Sequence, residues 1–217
     1  MKIFIDTANL NEIRKAKALG LVDGVTTNPT LLAKEGEKTE TLIRKIWQEV
    51  RGPVNVEVTG TLCDEMVKEA REMAAWGDEI VIKIPINLEG LKAVKTLSSD
   101  GIRTNVTLVF SPSQAILAAK AGATYVCPFL GRLDDISFDG LELIRQIRGI
   151  YCSYPEITTE IVVASVRHPI HVVEAGLMGA EIVTIPPAVL EQMAKHPLTD
   201  KGIAQFLEDA KKIGVKK

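Results

Sequence analysis

The chain has 217 residues, 46% of them hydrophobic and 25% charged, with a formal net charge of −2. That length suits one sizeable core and lies in the range that α/β barrels occupy as single domains. The near-balanced charge excludes nucleic acid and an anionic membrane surface as the main partner, so any anion must be bound locally. Cys63, Cys127 and Cys152 form an odd, scattered set without a CxxC pair, which excludes a disulfide framework and a zinc site and points to a reducing compartment. The N-terminus offers only Ile3-Phe4-Ile5 as an apolar run before Asp6, far short of a signal-peptide apolar region, and no stretch approaches membrane-spanning length. A soluble, cytoplasmic protein is expected.

In chain order, Lys2 to Asp6 reads as a first strand ending in a carboxylate, followed by a helix from Asn9, its N-cap, to Ala18. Val22 to Val25 form a second strand that runs into Thr26-Thr27-Asn28-Pro29, where Pro29 suits the first turn of a helix ended by Gly36. A helix over about Thr39 to Val50 is broken by Gly52-Pro53, and Val54 to Val58 is the third strand. A helix from roughly Asp64 to Trp76 precedes Ile80 to Ile86, and Leu88 to Leu97 is helical again. The fifth strand lies within Ile102 to Phe110, and Ser111-Pro112 opens an alanine-rich helix that stops at Gly122. Thr124 to Phe129 is the sixth strand, with a loop over residues 131–135 and a helix from about Asp139 to Tyr151. Glu160 to Ala164 and Glu181 to Ile185 complete the strands, each with a proline-started helix after it.

Eight strands, each followed by a helix, predict a single-domain (β/α)8 TIM barrel over residues 1–217. An open doubly wound sheet would want a glycine-rich turn after the first strand, and Asp6-Thr7-Ala8-Asn9 has no glycine. One element is left over. Residues 198–213 form an extra helix with Ile203, Phe206, Leu207, Ala210 and Ile213 on one face, which needs a partner, either the bottom of its own barrel or a neighbouring subunit, so a homo-oligomer is expected.

The chemistry starts from Ile80-Val81-Ile82-Lys83-Ile84-Pro85-Ile86, a β-branched run with the pattern of a strand buried on both faces and one lysine in its middle. A desolvated amine is a nucleophile able to condense with a carbonyl group, whereas a lysine at a strand end would only snorkel to water. Barrel active sites lie at the C-terminal ends of the strands. The polar residues there are Asp6, Asn28, Glu57, Lys83, Asn105, Thr107, Arg132, Ser165 and Arg167. Singly each has a structural role available, but together they are buried polar groups whose only partners are each other or a ligand. Acid and amine groups belong to strands one, three and four, and the arginines follow strands six and seven. A substrate with a carbonyl at one end and a phosphate at the other fits that separation, since phosphate sites of such barrels favour the late loops and arginine presents a fork of donors. His168 and His171 lack a third ligand in reach by sequence, so no zinc is expected, and Asp134-Asp135 read as orienting Arg132 or capping the next segment rather than as a magnesium site.

Six segments in one order, Asp6-Thr-Ala-Asn, Gly24-Val-Thr-Thr-Asn-Pro-Thr, Val81-Ile-Lys83-Ile-Pro, Thr104-Asn-Val-Thr-Leu-Val-Phe-Ser, Pro128-Phe-Leu-Gly-Arg132 and Ala164-Ser-Val-Arg-His-Pro, resemble the transaldolase family, in particular its small subfamily, which includes the fructose-6-phosphate aldolases. The resemblance implies that Lys83 is the Schiff-base lysine, that Asp6 is the acid/base at the hydroxyl that loses its proton during carbon–carbon cleavage, and that Glu57 is an acid/base acting through a water near Thr107. It further implies that Asn28 and Asn105 hold the dihydroxyacetone hydroxyls, that Arg132, Ser165 and Arg167 bind phosphate, and that no metal or other cofactor takes part. Transaldolases of the family carry Glu and Phe where this chain has Glu57 and Phe129, and the aldolases carry Gln and Tyr. Cys127 departs from the Ser usual at its place, and a thiol is a weaker donor to a sugar hydroxyl. What is implied is a transaldolase of the pentose phosphate pathway that acts on sugar phosphates and assembles as a decamer built of pentamers. Release of free dihydroxyacetone is the alternative activity.

Overall fold

The structure, a computed structural model, describes residues 1–212. Strands β1 (Lys2–Asp6), β2 (Gly24–Thr26), β3 (Val54–Glu57) and β4 (Ile80–Pro85) are followed by β5 (Thr104–Val109), β6 (Tyr125–Pro128), β7 (Glu160–Val163) and β8 (Ile182–Ile185). They pair in parallel in chain order, and β8 returns to β1 through Lys2–Ile182 to Ile5–Ile185, closing the expected (β/α)8 barrel. Around it run α1 (Leu10–Ala18), α2 (Pro29–Glu35), α3 (Thr39–Val50), α4 (Cys63–Ala74), α5 (Leu88–Ser99) and α6 (Pro112–Ala121). The circuit continues with α7 (Leu130–Asp134), α8 (Gly140–Ser153), α9 (Pro169–Leu177), α10 (Pro187–Ala194) and α11 (Pro197–Lys212). Among the described residues no helix is long and apolar enough to cross a membrane.

Side-chain alternation divides the apolar residues into two cores. Ile80, Ile82 and Ile84 of β4 join the larger cluster between sheet and helices, whereas Val81 packs inside the barrel with Phe4, Tyr125, Cys127, Val162, Ala164 and Ile182. Two residues beyond Val81 on the same face stands Lys83, only 3% exposed. The same parity turns Asp6, Glu57, Asn105 and Thr107 inward, so the strand ends place them in the layer above the apolar interior.

The helices start and stop where local chemistry dictates. Asn9 accepts from the backbone N–H of Asn11 and Glu12, and Ser111 and Gln114 form a reciprocal box at the start of α6. Three elements differ from the sequence reading. Strand β2 begins at Gly24 rather than Val22, because Asp23 is taken up by the N–H of Ile3 and a Cβ at Gly24 would meet the Phe4 ring at 2.7 Å. Most of the loop expected over residues 131–135 is taken up by the short helix α7: Leu130 is fully buried and an Asp134 carboxylate oxygen accepts from Gly140 N–H at 2.9 Å, tying α7 to α8. The last helix covers Pro197–Lys212 and buries none of its side chains, with Phe206 75% exposed; Ile213, assigned to its apolar face, lies outside the described residues.

Candidate active site

The centre of the barrel mouth is Lys83. Its Nζ donates to the Thr27 carbonyl at 2.9 Å and stands 3.1 Å from Glu57 Oε2, an ion pair made possible by the register that sets Glu57 beside Lys83 on neighbouring strands. The amine is therefore desolvated but held, with a carboxylate in place to exchange protons with it.

Asp6 is the second carboxylate. Burial raises its pKa above the ordinary aspartate range, while a 2.7 Å hydrogen bond from Thr26 and the charge of Lys83 pull it back. Thr26 has a single proton, and Asp6 as a carboxylate can only accept it, so the 2.6 Å contact between the Thr26 and Thr184 hydroxyls must be donated by Thr184. A directed chain from Thr184 through Thr26 thus ends on Asp6. Asn105, in register with Lys83, donates to Asn55 Oδ1 at 2.9 Å, and Asn55 donates to the Val25 carbonyl. Asn105 Oδ1 and Thr107 Oγ1 are buried polar atoms without a hydrogen-bond partner among the described residues, a costly condition at the strand ends.

Asp6, Asn28, Lys83, Cys127, Phe129, Arg132, Ser165 and Arg167 all line one cavity of about 190 Å³, together with Thr26 and Thr184. Glu57 lines an adjoining groove of about 410 Å³ that shares Asn28, Phe129 and Arg132 with it. Asn105 and Thr107 line neither and sit fully buried in the wall. Asn28 also caps α2, accepting from Leu31 N–H at 3.0 Å. Burial pushes the Cys127 thiol up to about 12, so it stays protonated and neutral.

At the rim, Arg132 lies over the Phe129 ring, 5.0 Å from its centroid, and Phe129 meets Phe110 edge to face at 5.9 Å. Ser165 has φ +62°, a left-handed conformation that turns the chain after β7 back towards the mouth. The α7 backbone packs tightly on this turn, for a Cβ at Gly131 would meet the Ser165 carbonyl at 2.0 Å. Asp135 does not orient Arg132; it pairs with Arg167 at 2.5 Å, because α7 lies against the loop that follows β7. Thr26, Thr184 and Asn55 were missed in the sequence. Only their strand-end position on the inward parity marks them, and threonine and asparagine there look ordinary.

The model of the transaldolase/fructose-6-phosphate aldolase family matches residues 3–217. The chain belongs to that family. Curated members similar to it include a probable transaldolase of Maridesulfovibrio salexigens, 58% identical over 213 residues that span 98% of this chain and 99% of that protein. Another, from Thermoanaerobacter sp. (strain X514), also described as a probable transaldolase, is 57% identical over the full length of both chains. Among solved structures, a thiamine phosphate pyrophosphorylase from Pyrococcus furiosus superposes with a TM-score of 0.59 at 18% identity, covering 88% of this chain and 89% of that one. That likeness concerns the barrel alone.

Proposed function

We propose that this member of the transaldolase/fructose-6-phosphate aldolase family is a transaldolase, moving a dihydroxyacetone unit from a ketose phosphate to an aldose phosphate by way of a Schiff base on Lys83. The observation that carries the reading is the buried amine, 3.1 Å from Glu57 and sharing a cavity with Asp6. Passing a proton to Glu57 frees the Lys83 lone pair to attack the ketone, and loss of water then gives the imine. Asp6 takes the proton of the substrate hydroxyl as the adjacent carbon–carbon bond breaks, and the electron pair is stored in the protonated imine. The resulting enamine attacks the acceptor aldehyde, Asp6 returns the proton, and Glu57, through a water near Thr107, serves imine formation and hydrolysis. Phe129 has no group to donate a proton or hold water, which favours transfer over release.

Asn28 lines the cavity where the hydroxyls of the three-carbon unit would sit, the unpaired oxygens of Asn105 and Thr107 stand in the wall behind it, and Cys127 lines the cavity as a weak donor. Arg132, Ser165 and Arg167 suit the phosphate. The reaction belongs to the pentose phosphate pathway, in the cytoplasm, in keeping with unpaired Cys63, Cys127 and Cys152. The unburied face of α11, with Leu198, Ile203 and Phe206 exposed, supports a homo-oligomer in which this helix covers a neighbouring copy.

Borohydride trapping with fructose 6-phosphate tests the reading. The wild-type protein should become irreversibly modified and a Lys83→Met variant should not; a labelled variant would refute the lysine assignment. Transfer to erythrose 4-phosphate should exceed acceptor-free release of dihydroxyacetone, and the opposite ratio would make the protein an aldolase.

A further inference from the structure

Behind the arginine at the rim lies a connected set of side chains that the proposed reaction does not use. His171, on α9 and 5% exposed, accepts at Nδ1 from the backbone N–H of Arg167 at 3.2 Å. A backbone N–H can only donate, so Nδ1 carries a lone pair and the ring proton resides on Nε2. Nε2 in turn lies 3.2 Å from Asp134 Oδ2, whose other oxygen accepts from Gly140 N–H at 2.9 Å. The tautomer, the ring orientation and the carboxylate are thus fixed by one another from the start of α8 to the loop after β7. The neighbouring residue Asp135 holds the Arg167 guanidinium. The short helix α7 therefore grips this loop twice, through the imidazole on its backbone and through a carboxylate on its side chain.

We propose that His171 is a positioning residue for the phosphate end of the site: its Nδ1 acceptor holds the Arg167 backbone in place relative to Arg132, and Asp134 on α7 fixes the tautomer that leaves Nδ1 free to accept. Arg132 and Arg167 are on different elements, α7 and the loop after β7, and a phosphate bound by both needs them at a fixed separation. Without the imidazole, the Arg167 segment, already turned through the left-handed Ser165, loses the side-chain acceptor of its backbone N–H and must be ordered by the ligand instead. This inference rests on the phosphate-binding reading of Arg132 and Arg167.

The test compares erythrose 4-phosphate with erythrose as acceptor at saturating donor. His171→Leu should raise KM for the phosphorylated acceptor about tenfold with kcat within about twofold, and leave KM for erythrose unchanged. Two further variants keep the test open should the leucine protein not fold. Asparagine places Oδ1 where Nδ1 stands, so His171→Asn keeps the acceptor for Arg167 and should behave much like wild type. Glutamine places Nε2 where the ring Nε2 stands, so His171→Gln keeps only the reach to Asp134 and should show the selective rise in KM. Equal losses on both acceptors, no loss on either, or glutamine outperforming asparagine overturns the proposal. Arg167→Ala separates the two levels. If it discriminates between the acceptors and the His171 variants do not, the positioning role fails and the phosphate reading stands. If it does not discriminate, both fall.

Discussion

Replacing Thr26 by Val tests how Asp6 is kept ionised. The two side chains have nearly the same shape, so the change deletes one hydroxyl: the donor 2.7 Å from Asp6 Oδ1 and the acceptor for Thr184. Burial already raises the Asp6 pKa, and the Thr26 hydrogen bond is one of two influences that lower it, so its removal lets the carboxyl titrate at higher pH. A hydrogen bond to a charged group contributes about 1.5–3 kcal/mol, and about 1.4 kcal/mol corresponds to a factor of ten in proton affinity. The proton concentration that half-inactivates the enzyme should therefore fall by about tenfold to a hundredfold. The assay is kcat/KM for cleavage of fructose 6-phosphate against pH, with circular dichroism at each pH to confirm folding. The acid limb should move to higher pH with the plateau largely retained. A folded, active variant whose acid limb coincides with that of the wild type would show that Asp6 is not the group that must lose its proton.

Asp6→Asn should reduce turnover by about 10²–10⁴-fold, the usual worth of a positioned acid/base, and should raise the melting temperature at neutral pH. The sign follows from burial: a carboxyl with a raised folded pKa costs stability as pH rises from the ordinary aspartate range through the folded value, so the amide's advantage should vanish in acid. Gly131→Ala puts a methyl group 2.0 Å from the Ser165 carbonyl and 2.7 Å from Arg167 Nε; it should cost about 1–3 kcal/mol in urea titration and raise KM for phosphorylated sugars. His171 faces His168 and Arg167 as well as Asp134, and burial, the largest of these influences, lowers its pKa below the ordinary imidazole value. Its neutral form is the one the fold requires, so wild-type stability should fall as pH drops through about 6.5 and level off below the folded value. That component should be absent in His171→Asn, as measured by urea unfolding from pH 8 to pH 5.

The barrel was legible because each strand is short, apolar and followed by an amphipathic helix with its own punctuation, such as Asn9, Ser111-Pro112 and Gly122. Lys83 stood out because a charge among β-branched residues has no water-facing side to turn to. Thr26 and Thr184 did not, since their importance arises only when β8 closes on β1 and β1 pairs with β2, bringing both hydroxyls onto the Asp6 side. Asp135 and His171 were read from neighbours in the chain, as a partner of Arg132 and a poor metal ligand. Their actual partners are set by how α7 packs on the loop after β7, which no local pattern encodes.

The hydroxyls of Thr26 and Thr184 meet across 158 positions of sequence. Asp6 stands on the first strand, but the last member of the chain of donors that ends on it arrives only with the eighth. Until the cylinder is sealed, the nascent polypeptide carries a lysine and carboxylates with no common chamber, and long-range closure of this kind is among the slower steps of folding. The donor chain onto Asp6 is therefore completed only when β8 pairs with β1, and a chain that stops short of β8 lacks Thr184 and leaves it open.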